Sequence, residues 1–426
     1  MSLIVIASFL ALAFLGMPLA FSLGVAALVG LWIAGFDVNV VAPRILNAVN
    51  SFPLMSIPLF MIAGELMLKG GIMERLIDFA NAFIGRVRGG LAQVTIVSGA
   101  GLASVSGAAV ADASALASTL VPSLKKQYGL GFSSGIVAAA ANLGPIIPPS
   151  GAMIVYAFMA GSSVSVGGMF MSGVIPGILL FLTFMALCWF IAWKRDYPLA
   201  GQPITFSNIW LQTRRNLVVF LMPVIVIGGI VGGVFTPTEG AAVGVCYALF
   251  LGFFVTRRLK LADLPHVLLD AAKTSALVGA MIAFAATVTF LFTIDLLPMK
   301  LAGFMQGLTD NPFAFLCLIA VMLLVVGMFL ESNAAYIMLV PLFHPVALQY
   351  GIDPLHFGFL FVLNLVIGML TPPVGVVLFV ICGVTGVKMG ELVRESWPFI
   401  AAMYAVLLVC MIFPGVVTWL PERLGY

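Results

Sequence analysis

The chain is a succession of apolar runs long enough to cross a lipid bilayer, separated by short polar stretches. At 1.5 Å rise per residue, about twenty helical residues cross a hydrocarbon core about 30 Å thick. Backbone in that medium must satisfy its own polar groups, which leaves helices or a closed barrel. A barrel needs alternating strands of about ten residues, and these runs are longer and do not alternate. Only 8% of the 426 residues are charged and 62% are hydrophobic. That excludes an ordinary soluble domain, where about 25% are charged, and a disordered chain. The 44 glycines and 24 prolines fit transmembrane helices, where both are frequent. The expected class is an all-α polytopic membrane protein.

A net charge of +3 is too small to point to nucleic acid. Basic residues cluster in short loops, as in cytoplasmic connections. Cys188, Cys246, Cys317, Cys382 and Cys410 lie in apolar spans and form no CxxC, so they read as small hydrophobes. His266, His344 and His356 form no metal spacing. There is no G-x-x-x-x-G-K-[ST] loop and no H-E-x-x-H, which speaks against ATP-driven transport and zinc hydrolysis. The run 3–33 lacks a basic n-region and exceeds a signal core of 7–15 residues. It is expected to be membrane structure, either one kinked helix or two short ones broken at Gly16-Met17-Pro18.

Segment 89–124 has one charged residue, Asp112, and basic residues on both flanks, Arg86/Arg88 and Lys125/Lys126. Both ends then face the cytoplasm. With 99–113 rich in Gly, Ala and Ser, the segment reads as a re-entrant helical hairpin, or alternatively as two full spans with a short outer loop. A span 132–160 follows, interrupted at 142–150. Further spans are expected at 169–193, 217–234, 241–255, 276–294 and 398–420, with a polar break at 295–311. A second hairpin is expected at 312–348 and a second broken span at 357–382. The second hairpin's flanks, Asp310 and Asp353, carry no Lys or Arg and so face outside.

Short words recur in one order. Leu120-Val121-Pro122 returns as Leu339-Val340-Pro341, and Gln127-Tyr128-Gly129 as Gln349-Tyr350-Gly351. Asn142-Leu143 returns as Asn364-Leu365. Gly144-x3-Pro148-Pro149-x-Gly151 returns as Gly368-x3-Pro372-Pro373-x-Gly375. Asp112 corresponds to Glu331. The offsets run from 219 to 224 residues, and the two copies have opposite flanking charge. This is the pattern of an inverted repeat, whose sites lie near the midplane where helices break.

The prolines remove N–H donors and free carbonyl oxygens, which suit a small hard cation such as Na⁺. Half-helix N-termini suit an anionic substrate. Such backbone is tolerated at membrane depth only when buried or lining a wet cavity. Ser104, Ser106 and Ser114 offer hydroxyls at the hairpin, or simply permit close packing. Asp112 and Glu331 are intramembrane carboxylates, for which hydrogen bonding to the hairpin and direct cation or proton coupling both stay open. Glu239 has the same ambiguity, with capping of the following helix as its structural alternative. Arg44 reads as an interfacial anchor or partner contact.

Several motifs together resemble the large membrane subunit of tripartite ATP-independent periplasmic (TRAP) transporters, over essentially the whole chain. They are Phe235-Thr236-Pro237-Thr238-Glu239-Gly240-Ala241-Ala242, Ser104-Val105-Ser106-Gly107-Ala108-Ala109-Val110-Ala111-Asp112, Gly144-Pro145-Ile146-Ile147-Pro148-Pro149-Ser150 and Gly368-Met369-Leu370-Thr371-Pro372-Pro373-Val374-Gly375. The opening Phe52-Pro53-Leu54-x-x-Ile57-Pro58-Leu59-Phe60 with Ala63-Gly64-Glu65 is also similar. Ala108 departs from the family pattern, which has a second serine there.

The resemblance implies a bacterial inner-membrane, Na⁺-coupled symporter of carboxylated acids such as sialic acid or C4-dicarboxylates. It implies two partners, a small four-helix membrane subunit and a periplasmic substrate-binding protein. It implies an elevator, with scaffold at 1–88, 169–311 and 391–426 and transport repeats at 89–168 and 312–390. By motif, one Na⁺ would sit at Ser104, Ser106, Gly144, Ile147 and Pro148. A second would sit at Gly327, Gly368, Thr371 and Val374, while Ser106 and Ser150 would line the substrate cavity. The alternatives are a stand-alone divalent-anion/Na⁺ symporter and an intramembrane hydrolase using Asp112 and Glu331, the latter disfavoured because no nucleophile–base pair stands beside them.

Overall fold

A computed structural model describes residues 1–84, 86–197 and 205–426. Among them are twenty α-helices, with short 3-10 and π turns and no strand. Seven helical segments, including Val166–Lys194, Leu261–Ile294 and Met389–Ile412, are long and apolar enough to cross a membrane.

The run 3–33 forms two helices, Ser2–Phe14 and Leu19–Ala34, packed on each other. Pro18 sits at the N-cap of the second, outside the helix interior that its ring would break. The expected polar break 295–311 is corrected: it contains the helix Leu297–Leu308. Pro298 stands in the first turn, where its missing N–H is harmless. Only Lys300 and Gln306 are polar within it; the residues that mark a break, Asp295, Thr309, Asp310 and Asn311, lie at its two ends. The last span also begins earlier than 398, as Met389–Ile412, followed by a short helix Gly415–Arg423. Its first turns carry charge, and Glu395 is neutralised by Arg195 at 2.8 Å.

Both hairpins form. The first consists of Gly90–Ser106 and Ala109–Tyr128, turning at residues 107 and 108 alone. The Gly/Ala/Ser stretch is therefore helical almost throughout, and its small side chains serve packing. A β-carbon on Gly99 would lie 2.7 Å from that of Ala140. Gly107 has φ +62°, the left-handed conformation that lets the chain reverse there. The second hairpin consists of Pro312–Phe329 and Ser332–Gln349, turning at residues 330 and 331.

The broken spans are Leu130–Ala141 with Gly151–Ala160, and Pro354–Gly368 with Val376–Thr385. The Pro148–Pro149 and Pro372–Pro373 bonds in the two breaks are cis. The repeats interlock. The second arm of the first hairpin packs on Val376–Thr385, and that of the second hairpin packs on Gly151–Ala160. At the centre, the Asn142 side-chain amide donates to the Val366 carbonyl at 2.8 Å, fully buried. Around this pair, Ser56–Lys69 packs on Pro237–Phe250, and Leu264–Ile294 packs on Leu19–Ala34 and Ser56–Lys69.

One side is also fixed. Helix Leu264–Ile294 begins beside the basic stretch Arg257, Arg258 and Lys260 and ends at Asp295. Ser2 donates to Asp295 from its amide at 2.9 Å and from its hydroxyl at 2.6 Å. The first helix therefore starts at the end of Leu264–Ile294 away from that basic stretch.

Candidate ion and substrate site

The first break and the first hairpin meet at the hairpin's turn. A β-carbon on Gly107 would come within 2.7 Å of the Pro149 carbonyl oxygen, so backbone lies on backbone. The Ser106 hydroxyl donates to Oδ1 of Asp112 in the next arm. Oδ2 of Asp112 is buried and has no partner among the described residues. It would stand 2.6 Å from a β-carbon on Gly144. Asp112 thus joins Ser106 to Gly144, two of the five residues expected at the first ion site. The other three, Ser104, Ile147 and Pro148, share the inner wall of a cleft of about 410 Å³. The Ser104 hydroxyl is turned onto its own helix, donating to the Gly101 carbonyl at 2.7 Å.

The second break meets the second hairpin differently. Here Gly327, inside the hairpin's first arm, lies against Gly368 at the end of the half-helix. A β-carbon on Gly368 would stand 2.6 Å from Gly327 Cα. The Gly375 amide donates to the Met328 carbonyl at 3.1 Å, and the Thr371 hydroxyl to the Ile367 carbonyl at 2.8 Å. Gly327, Gly368, Thr371 and Val374 are therefore brought to one junction.

Among the described residues, the carbonyls of Gly144, Ile147 and Pro148 accept no hydrogen bond, nor do those of Gly327, Thr371 and Val374. Unwound backbone carbonyls with free lone pairs are a donor set that suits Na⁺. No group of three or more His, Cys, Asp or Glu able to hold a metal occurs among the described residues.

Ser150 is the N-cap of Gly151–Ala160. Its hydroxyl accepts from the Met153 amide at 3.3 Å and donates to the Pro145 carbonyl at 2.6 Å, fully buried. The hydroxyls of both expected substrate residues, Ser106 and Ser150, are thus already engaged within the protein.

Sequence equivalence of Asp112 and Glu331 does not extend to their partners. Glu331 caps helix Ser332–Gln349, accepting from the amides of Asn333 and Ala334 at 3.1 and 3.3 Å. Asp112 lies one turn inside its helix and reaches back to Ser106. Glu239 is exposed and forms a capping box with Thr236 at the start of Pro237–Phe250. Arg44 lies over the ring of Phe290, 3.3 Å from its centroid, an aromatic anchor for the helix Val41–Val49.

Two linkages were missed. Asn142 belongs to a recurring word, so the repeat carried that signal, but its partner Val366 is visible only in three dimensions. His344 accepts or donates through Nδ1 to the Tyr156 hydroxyl at 2.9 Å and through Nε2 to the Ser163 hydroxyl at 2.8 Å. It ties the second hairpin to the first broken span, and nothing in the sequence pairs these residues.

Comparison with known proteins follows the same outline. The family described as "Tripartite ATP-independent periplasmic transporter, DctM component" matches residues 6–416. The chain is 37% identical over 423 residues to the sialic acid TRAP transporter large permease protein SiaM of Vibrio cholerae, covering 98% of both. It is 36% identical over 405 residues to the 2,3-diketo-L-gulonate TRAP transporter large permease protein YiaN of Escherichia coli, covering 95% of both. It is 37% identical over 391 residues to the C4-dicarboxylate TRAP transporter large permease protein DctM of Pseudomonas aeruginosa, covering 91% of both. The crystal structure of the Alcanivorax borkumensis YdaH transporter superposes with a TM-score of 0.65 at 15% identity, covering 88% of each chain. At that identity the likeness is one of fold. These relatives are transporters, not hydrolases. With its apolar helices, broken spans and matching sequence along nearly its whole length, the chain belongs to the large-permease (DctM) family of TRAP transporters and is a multi-pass membrane protein.

Proposed function

We propose that this chain is the membrane permease of a Na⁺-coupled uptake system for a small carboxylated organic acid in a bacterial inner membrane. The observation that carries the reading is the duplicated junction of break and hairpin, each lined by free carbonyls. Two sodium ions, one per junction, would bridge a hairpin to its broken span and draw the two together. The half-helices Gly151–Ala160 and Val376–Thr385 begin at these breaks, and their N-termini carry the partial positive charge that favours a carboxylate. Ion and substrate would then bind to the same backbone, which couples them.

The transport unit is formed by 89–168 and 312–390, and it moves as an elevator against scaffold residues 1–88, 169–311 and 391–426. The interlocked repeats support this division, since each hairpin packs on the other repeat's half-helix. Relatives named for sialic acid, C4-dicarboxylates and 2,3-diketo-L-gulonate support an acidic substrate. Family membership supports a small four-helix membrane subunit and a periplasmic substrate-binding protein as partners.

The test is melting of the purified chain, with its small subunit, in Na⁺ and in K⁺ at equal ionic strength. Ligand at 100 times its Kd stabilises the folded state by about 2.7 kcal/mol. A Na⁺-specific rise in Tm is expected, and its absence would overturn sodium coupling at the junctions. Uptake by reconstituted protein without the binding protein would favour the stand-alone symporter.

A further inference from the structure

We propose that the cytoplasmic ends of three helices form a binding site for an anionic phospholipid, whose tail fills the cleft beside the first break. The inference rests on the membrane placement and does not depend on the transport reaction.

The headgroup end is a cluster of guanidiniums. Arg75, in helix Ile72–Ile84, donates from Nη2 to the Val255 carbonyl at 2.9 Å and from Nη1 to the Arg215 carbonyl at 3.3 Å. It thereby ties together the cytoplasmic ends of Phe206–Val231 and of Pro237–Val255. Arg258 lies beside it, its Cδ 2.4 Å from where Gly71 would carry a β-carbon. Glu74 pairs with Arg258 at 2.6 Å. Three arginines, Arg75, Arg215 and Arg258, thus lie together, with Arg214 and Arg257 exposed next to them in sequence. Burial, then repulsion from Arg215 and Arg258, lowers the pKa of Arg75, as expected where positive charge is in excess. Basic pockets between transmembrane helices on this side are suited to acidic lipid headgroups.

The tail end is continuous with that cluster. Phe79, one turn beyond Arg75, packs on Phe220 with ring centroids 4.7 Å apart. Phe220 opens the cleft of about 410 Å³, whose walls include Gly177, Ile178, Phe181 and Ile227 and carry almost no polar surface. Ile178 is 54% exposed, so the cleft is open on its bilayer side. From Arg215 to Ile227 is twelve residues of one helix, about 18 Å at 1.5 Å each, comparable to one leaflet of a 30 Å core. The inner wall is Ile147 and Pro148, so the tail would end against the first break.

The experiment measures lipid binding to the full chain with its small subunit, by native mass spectrometry and by Tm. The probes are long-chain phosphatidylglycerol, phosphatidylcholine with the same tails, short-chain phosphatidylglycerol and inorganic phosphate. Long-chain phosphatidylglycerol is expected to bind at least tenfold tighter than the other three. Arg215→Gln should weaken it about fivefold, and Arg215→Gln with Arg258→Gln about 25-fold, each basic residue contributing about one such factor. Equal binding of phosphatidylcholine would overturn the headgroup assignment. Equal binding of phosphate or the short-chain lipid would reduce the site to an anion contact and overturn the tail. Unchanged binding in the double variant would overturn the cluster. The comparison is repeated with the chain alone, and a preference seen there but lost in the complex would mean that the small subunit covers the cleft, which also overturns it. The wild-type comparison of lipids stands even if a variant fails to fold.

Discussion

Replacing Gly368 by alanine tests the second junction directly. The added carbon would lie 2.6 Å from Gly327 Cα and 2.7 Å from the Gly327 carbonyl carbon. Ordinary carbon contacts are about 3.5–4.0 Å, so roughly 1 Å must be recovered. Both neighbours are backbone, and no side chain can rotate away. Overpacking of this kind costs about 1–3 kcal/mol. Gly383, in Val376–Thr385, has nothing within 4 Å of an added carbon, and a helical glycine changed to alanine gains up to about 1 kcal/mol. The two variants should therefore differ by about 1–4 kcal/mol in stability. Gly327→Ala should fall between them, since its carbon would meet Gly368 Cα at 3.1 Å. The assay is melting of all three proteins in Na⁺ and in K⁺. Gly368→Ala should lose both stability and the Na⁺-dependent increment, because separating the strands of the junction moves the Gly327 carbonyl. Gly383→Ala should keep the increment. If Gly368→Ala melts with Gly383→Ala, the close approach is not what holds the junction, and the reasoning fails.

Ser106→Ala leaves the buried Asp112 carboxyl without its one side-chain donor and should cost about 1–3 kcal/mol. Ser104→Ala, which removes a bond within one helix, should cost less, and equal losses of Tm would refute the distinction. Asp295 lies outside the membrane spans. Lys300 at 2.7 Å, then Ser2, hold its carboxyl well below the usual carboxylate range. A lowered folded pKa gives stability that is complete above the ordinary Asp value of about 3.9 and is lost as pH falls through the folded value. The Tm gap between wild type and Asp295→Asn should be constant from pH 8 to about 5 and shrink on further acidification. A gap that closes as pH rises would contradict the assignment.

The breaks and the hairpins were legible because they rest on chemistry that local sequence fixes. Proline lacks an N–H wherever it stands, so Pro148-Pro149 and Pro372-Pro373 marked the breaks. The recurrence of Asn142 and Gly144 at Asn364 and Gly368 marked the duplication. The helix Leu297–Leu308 is short and lies between polar residues at 295 and 309–311, which mark a break at its ends and not within it. The common role expected from the equivalence of Asp112 and Glu331 did not hold, because helix Ser332–Gln349 starts just after Glu331, which caps it, whereas Ala109–Tyr128 starts three residues before Asp112, which lies inside it.

What the sequence determined by itself is the solvent and the elements. Scarcity of charge and the length of the apolar runs required a bilayer and helices, and motif order along the chain carried the family. What only the tertiary structure decided is which groups meet. Contact between Gly327 and Gly368, or between Asn142 and Val366, is a property of two distant segments, and neither carries a local mark of the other. The same holds for the placement of Ser2 against Asp295 and for the guanidinium cluster around Arg75. Local chemistry sets where a helix ends, but packing sets what that end faces.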